Sequence, residues 1–216
     1  MTRHLSPSVR RCTVRAGLGL AACAALLLGC SGGEDDPEAG EAAEASTLAD
    51  CPAPEAPPET AGGGIEGIEV ERVGDYVHTL GDLDYAVCAP SGGDHAPPPY
   101  WLTCGVYEGA VPDELAVHSL EHGAVWVALG PASTDADRAA AVALADGAKV
   151  FVSDVADLPS AVELVAWGFR LRLASADDPR AAAFVDELVD ADTAPEPGAS
   201  CQSLGEPPNP PALPTS

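Results

Sequence analysis

From Ser31 to Gly64 the chain reads SGGEDDPEAGEAAEASTLADCPAPEAPPETAGGG, with nine acids, no base and almost no branched or aromatic residue. Such a stretch cannot bury enough apolar surface to offset its chain entropy, and it is expected to be a disordered tether. The segment from Ala191 (ADTAPEPGASCQSLGEPPNPPALPTS) is Pro-rich in the same way and is expected to be a tail over residues 191–216. No internal repeat is visible. The fold is therefore sought in one domain over residues 65–190, long enough to bury a modest single core.

The charge balance narrows the function. The chain has 34 acidic residues against 10 Lys and Arg. Four of the bases (Arg3, Arg10, Arg11, Arg15) precede residue 30 and no acid does, so 10 less 4 leaves 6 bases against 34 acids, a net charge near −28 beyond that point. Binding a phosphate backbone depends on clustered Lys and Arg, so nucleic acid is not an expected partner. The same field favours the approach of cations.

Residues 1–29 read as a signal peptide. A basic start is followed by the apolar run Ala16 to Leu28 (AGLGLAACAALLL), too short for an ordinary membrane-spanning helix and right for a signal h-region. It ends in Leu27-Leu28-Gly29-Cys30, which resembles the bacterial lipoprotein lipobox. That resemblance implies cleavage before Cys30, lipid on its sulfur, and residence in the cell envelope on the extracytoplasmic side of a membrane. Residues 30–64 are then the lipidated Cys and its tether. The pair Arg10-Arg11 lacks the bulky apolar residue expected of a twin-arginine signal, since Thr13 follows Cys12.

Within the domain, Ile65 to Val73 alternates as a strand, and residues 89–99 (APSGGDHAPPP) cannot form a regular element. Pro112-Asp113-Glu114 opens a helix to about His122 with Gly123 as its stop. Ala124 to Leu129 reads as a buried strand and Thr134 to Gly147 as an Ala-rich helix capped by Ser133 or Thr134. Lys149 to Val152 is the next strand, the simplest crossover between the two being parallel. Ala161 to Leu173 holds one bent strand or two broken at Gly168, and Pro179 to Val189 a closing helix. The expected class is α+β: a small mixed β-sheet covered by two or three helices, with an irregular first half and a second half open to a thioredoxin-like arrangement. No CxxC pair exists for redox exchange by that route.

The histidines are segregated. Beyond His4, all of them fall between residues 78 and 122: His78, His95, His118 and His122. In His118-Ser119-Leu120-Glu121-His122 two imidazoles stand four residues apart, which on a helix puts them on one face within reach of a shared ion. Neutral imidazoles suit a borderline ion such as zinc or copper(II). The expected ligands are His95, His118 and His122, with His78 or Glu121 as the fourth ligand or a supporting hydrogen-bond partner. The competing expectation is an envelope interaction module whose histidines are structural.

The stretch from His78 to Val125, with Tyr85, Ser91-Gly92-Gly93-Asp94-His95, Thr103-Cys104-Gly105-Val106-Tyr107 and above all Val117-His118-Ser119-Leu120-Glu121-His122-Gly123-Ala124-Val125, resembles the domain of unknown function 3105 family. Ala166-Trp167-Gly168 and the helix after it resemble that family's C-terminal half, so the likeness spans about residues 65–190. It implies no established activity. Members tend to carry prolines where this chain has Cys88-Ala89-Pro90, which implies that a local disulfide takes over part of that loop's stiffness.

Apart from Cys12, Cys23 and Cys30, four cysteines remain, Cys51, Cys88, Cys104 and Cys201. An even number in an exported chain points to disulfides. Three pairings are possible. The favoured one joins Cys88 to Cys104, closing the loop that bears His95, and Cys51 to Cys201, tying the two ends together. Reduced cysteines would instead make a His and Cys zinc site the competing constellation.

The HxxEH string also resembles the inverted zinc-peptidase signature, in which the Glu activates a metal-bound water and a distant acid, nominally Glu163 or Glu187 here, completes the ligand set. The short helix argues against that long-helix enzyme, which leaves a metal-dependent hydrolase as a minor alternative. There is no P-loop, no GxGxxG after a strand and no GxSxG, and the only methionine is Met1, which argues against a methionine-rich copper(I) carrier. Tyr100-Trp101 and Tyr107 are candidates to line a pocket over the histidines, or to pack.

The lipobox reading predicts that Cys30→Ser releases the protein from the membrane fraction or stalls its export. Unchanged membrane association of that variant would contradict it.

Overall fold

A computed structural model describes residues 64–213. The signal segment, Cys30, the tether through residue 63 and with it Cys51 lie outside the described residues, as do residues 214–216. In chain order the elements are β1 (Ile68–Val70), β2 (Gly105–Val106), α1 (Asp113–Glu121), β3 (Val125–Leu129), α2 (Asp135–Ala145), β4 (Val150–Asp154), β5 (Val162–Ala166), β6 (Phe169–Leu173) and α3 (Pro179–Leu188).

Six strands form one mixed sheet in the order β1-β6-β5-β3-β4-β2. The valine-rich strand β3 sits in the interior of the sheet, parallel to β4 and antiparallel to β5. All five of its residues are buried, as a strand covered on both faces must be. The β5–β6 hairpin turns at Trp167-Gly168, where Gly168 takes φ +75°. The predicted strand over residues 65–73 pairs only at Ile68–Val70, because its partner β6 begins at that turn: Val70 sits opposite Phe169, and Glu71 makes one last backbone bond, to Gly168.

Alternation along the strands divides the core in two. Val125, Val127 and Leu129 of β3, Val150 and Val152 of β4 and Leu164 and Leu171 pack with Ala141 of α2 and with Phe184, Val185 and Leu188 of α3. The opposite side chains, Trp126, Ala128, Phe151 and Val165, pack with Leu115, Ala116 and Leu120 of α1 and with Ala89, Ala96, Leu102 and Tyr107 from the irregular segments. The first half of the domain is thus the second cover of the sheet. Helix α2 begins on a capping box, Thr134 accepting from the Asp137 N–H while the Asp137 carboxylate takes the Thr134 N–H. Helix α3 starts on the Asp178 cap with Pro179 at its first position.

The irregular cover buries charge as well as apolar surface. Arg170 of β6 is fully buried and ion-pairs with Glu163 of β5, itself 1% exposed. It also donates to the Glu71 carboxylate at 3.0 and 3.2 Å and to the Cys88 carbonyl at 3.3 Å. Burial raises the Glu71 carboxyl, but hydrogen bonds from Arg170 and Ser91 outweigh it and leave the pKa below the ordinary value. This network stitches the strand before the loop, the loop and the β5–β6 hairpin into one unit.

Two expectations about the ends of the domain are corrected. The disulfide joins Cys104 to Cys201, with Cα atoms 5.5 Å apart, so neither the Cys88–Cys104 nor the Cys51–Cys201 bridge forms. Cys88 instead lies buried, its sulfur 3.6 Å from the Asp157 carbonyl. The physical reason is the path of residues 191–213, which cross the domain rather than trail from it. Cys104 N–H bonds the Cys201 carbonyl at 3.0 Å and Ser203 N–H bonds Thr103 Oγ1 at 3.0 Å, bringing the two sulfurs together. A bridge spanning 97 residues stabilises the fold by about 4 to 5 kcal/mol on the chain-entropy account. Among the described residues no helix is long and apolar enough to cross a membrane.

Breaking the Arg170 network tests this packing. Arg170→Met leaves the buried Glu163 with only the longer ion pair to the half-exposed Arg172 at 3.6 Å and is expected to cost about 3 kcal/mol in denaturant unfolding, much of it recovered in the Arg170→Met/Glu163→Leu double variant. A loss below about 1 kcal/mol, typical of a solvated pair, would contradict the buried pairing.

Candidate metal centre

Helix α1 supplies the rigid part of the site. At nine residues it would be marginal alone, yet every residue from Glu114 to Glu121 is buried, so packing rather than propensity holds it. Ser119 pins it further, accepting from the Leu102 N–H at 2.9 Å and donating to the Leu115 carbonyl at 3.0 Å. The helix ends at Gly123, in the left-handed region at φ +87°, where a Cβ would meet Asp190 at 2.8 Å. Lys149 closes that end by donating to the His122 carbonyl and to Asp190, each at 2.6 Å.

The remaining histidines arrive on irregular chain. A parallel bridge joins residues 78 and 95, with Thr79 N–H bonding the His95 carbonyl at 2.8 Å and His95 N–H bonding the Val77 carbonyl at 3.3 Å. His78 and His95 are thereby set side by side, their ring centroids 4.6 Å apart, over His118 at 5.3 and 5.1 Å. Trp101 covers the other flank, 5.2 Å from His118 and 4.8 Å from His122 between centroids. Tyr76 and Trp167 pack against His95.

The hub is Glu121. Its Oε2 lies 3.2 Å from His78 Nε2, 3.1 Å from His95 Nε2 and 3.7 Å from His118 Nε2, and its side chain is 2% exposed. Burial pushes the carboxyl up, but hydrogen bonds from His95, Tyr76 and His78 outweigh it and hold the pKa at about 2. Burial, and then the neighbouring Glu121 charge, push the Tyr76 phenol up to about 12. Burial also pulls His118 down to about 4, helped by the nearby His122 and His95, so at neutral pH this ring is an uncharged base. Its Nδ1 is buried and makes no hydrogen bond of normal geometry, only a weaker interaction with the Ala96 backbone.

Two of the rings are oriented from behind. His95 Nδ1 lies 2.8 Å from the Gly93 carbonyl and His122 Nδ1 3.0 Å from the Ser200 carbonyl. A carbonyl only accepts, so each Nδ1 carries the proton and each neutral ring presents an Nε2 lone pair. For His95 that nitrogen faces Glu121, to which it donates when it carries a second proton; for His122 it faces Glu196 at 3.6 Å. A lone pair against a carboxylate is unfavourable unless a proton or a metal ion lies between them. Histidines that donate one ring nitrogen to a carbonyl and offer the other are the usual form of a metal-ligating imidazole.

The structure brings together all five residues singled out from the sequence, as two overlapping groups of donors within 4.8 Å of one another: His78, His95 and His118, and then His118, Glu121 and His122. His118 is common to both, while His95 and His122 stand in different groups. Glu163 pairs with Arg170 and, like Glu187, stands in neither, so neither of the two distant acids nominated from the sequence is at the histidines. Of the aromatic candidates, Trp101 contacts the histidines, whereas Tyr107 is a packing residue whose hydroxyl donates to the Thr103 carbonyl at 2.6 Å. Sequence reasoning missed Tyr76 and Glu196. Tyr76 stands two residues before His78, the spacing that puts side chains on one side of an extended chain. Glu196 sits among prolines with no local signal.

No curated protein and no solved structure matches this chain. A family model described as "Protein of unknown function (DUF3105)" matches residues 77–203, a span that holds the four histidines, Glu121, Glu196 and both cysteines of the disulfide. That match covers well over half of the 216 residues, and the chain belongs to this family of proteins of unknown function, DUF3105.

Proposed function

We propose that this chain is a lipid-anchored protein of the cell envelope that holds a divalent transition metal, zinc or copper(II), in its histidine cluster, in a storage, delivery or sensing role. The observation that carries the reading is the convergence of three imidazole Nε2 atoms on one carboxylate oxygen, at 3.1 to 3.7 Å, inside the domain. Donors about 2.0 to 2.1 Å from a tetrahedral ion stand about 3.3 Å apart, so these separations are those of a ligand set around a shared centre. His78, His95, His118 and Glu121 would hold the ion. Bound there, it would supply the positive charge that the buried carboxylate faces and would take the place of a proton on His95 Nε2.

The rest of the chain supports the same reading. The Gly93 carbonyl fixes the His95 tautomer, the residue 78 to 95 bridge lowers the ordering cost of bringing two ligands together, and the acidic surroundings favour a cation. His118, uncharged to well below neutral pH, competes little with protons for the metal. His78 is the one histidine of the four with substantial exposure, at 36% of its side chain, and marks the side from which an ion would enter. The lipobox at Cys30 would place this site outside the cytoplasm, on the tether of residues 31–64.

Calorimetric titration of the metal-free full chain with zinc and with copper(II) tests the proposal. Stoichiometric binding is expected in the parent and is expected to be lost or weakened at least tenfold in His95→Ala and in His118→Ala. Because each ligand imidazole must be deprotonated to bind, affinity is expected to fall on acidification and to be lost by the pH near 4 at which His118 itself takes up a proton. Binding absent from the parent, or unaffected by both changes, would leave the histidines as structural residues of an interaction module.

A further inference from the structure

Six donors converge here, more than one tetrahedral ion uses. Two of the four histidines repeat the same arrangement independently. His95 gives its Nδ1 proton to the Gly93 carbonyl and turns Nε2 toward the buried Glu121, while His122 gives its Nδ1 proton to the Ser200 carbonyl and turns Nε2 toward Glu196. The two do not stand in one donor group, so an ion placed among His78, His95, His118 and Glu121 leaves His122 Nε2 and the Glu196 carboxylate, 3.6 Å apart, outside its ligand set. The second group, His118, Glu121 and His122, shares His118 with the first and has its three donors within 4.8 Å, all buried.

We infer that the site takes two metal ions, the second held by His122 and Glu196 with the Glu121 carboxylate shared between the positions. This rests on the metal reading above and adds a distinct ligand set to it. A carboxylate has two oxygens, and Glu121 presents only Oε2 to His78, His95 and His118; bridging adjacent cations is a common use of such a group. The segment that carries Glu196 is built against the site: Glu196 N–H bonds the Glu121 carbonyl at 2.9 Å, Ser200 orients His122, and the next residue, Cys201, is fixed to Cys104 by the disulfide. The second position is the more open of the two carboxylates, since the Glu196 side chain is 56% exposed where that of Glu121 is 2% exposed. The expected occupants are borderline divalent ions bound through imidazole and carboxylate, zinc or cobalt(II) among them.

The test counts ions. The full chain, metal-free, is saturated with zinc, passed through gel filtration at high ionic strength so that solvated acids retain nothing, and assayed by native mass spectrometry with elemental analysis. Two ions per chain are expected in the parent, and one in Glu196→Gln and in His122→Ala. Glu196→Gln alters an exposed side chain and keeps the test informative if His122→Ala fails to fold. The same count with cobalt(II), followed by its visible spectrum, should show the second equivalent lost in Glu196→Gln while the first is retained. One ion in the parent, or two that survive both substitutions, overturns the second position and leaves the first standing. No ion in the parent overturns the metal reading itself.

Discussion

The arrangement turns on one buried negative charge. Glu121 sits at the end of a helix inside the domain, and a carboxylate removed from water is tolerated only where hydrogen bonds or cations replace the solvent. Three imidazoles and a phenol gather round it, drawn from residues 76, 78, 95 and 118. They come from three local contexts: Tyr76 and His78 from an extended segment, His95 from a Pro- and Gly-rich loop, and His118 from a helix. The burial of Glu121 is thus the point through which irregular chain and regular chain are tied.

The sheet gives that point its rigidity. One face of β3, β4, β5 and β6 is closed by helices α2 and α3, as a mixed sheet in an α+β domain ordinarily is. The other face is closed by α1 and by loops, which have few backbone bonds of their own and are held by specific polar contacts. The Arg170 network fastens the loop near Ser91 to the hairpin, and the Cys104–Cys201 bridge fastens residues 196–203 beside His122. The site lies on the loop-covered side, where side chains from distant parts of the chain can meet while the helix and strands beneath them stay fixed.

How far this could be read from the sequence follows from the range of each interaction. The i, i+4 spacing of His118 and His122, the Gly123 stop and the run of regular elements after it depend on neighbours in the chain, and the structure has α1, β3, α2, β4, β5, β6 and α3 where the pattern places them. The pairing of His78 with His95 is a backbone bridge between two irregular segments, invisible to periodicity. In β6 the sequence FRLRL alternates as if one face were solvated, yet Arg170 is fully buried, because the face it points to is covered by loops rather than water. The disulfide was misread for the same kind of reason: proline content suggests a free tail, whereas Thr103, Cys104 and His122 offer that segment specific partners. Glu196 was hidden with it.

The most direct measurement of the central claim is X-ray absorption at the metal edge of the zinc-loaded full chain. The account predicts a first shell of nitrogen and oxygen at about 2.0 to 2.1 Å with the outer-shell scattering of several imidazoles and no sulfur. A shell containing sulfur at about 2.3 Å, or one of oxygen alone without imidazole scattering, would contradict it.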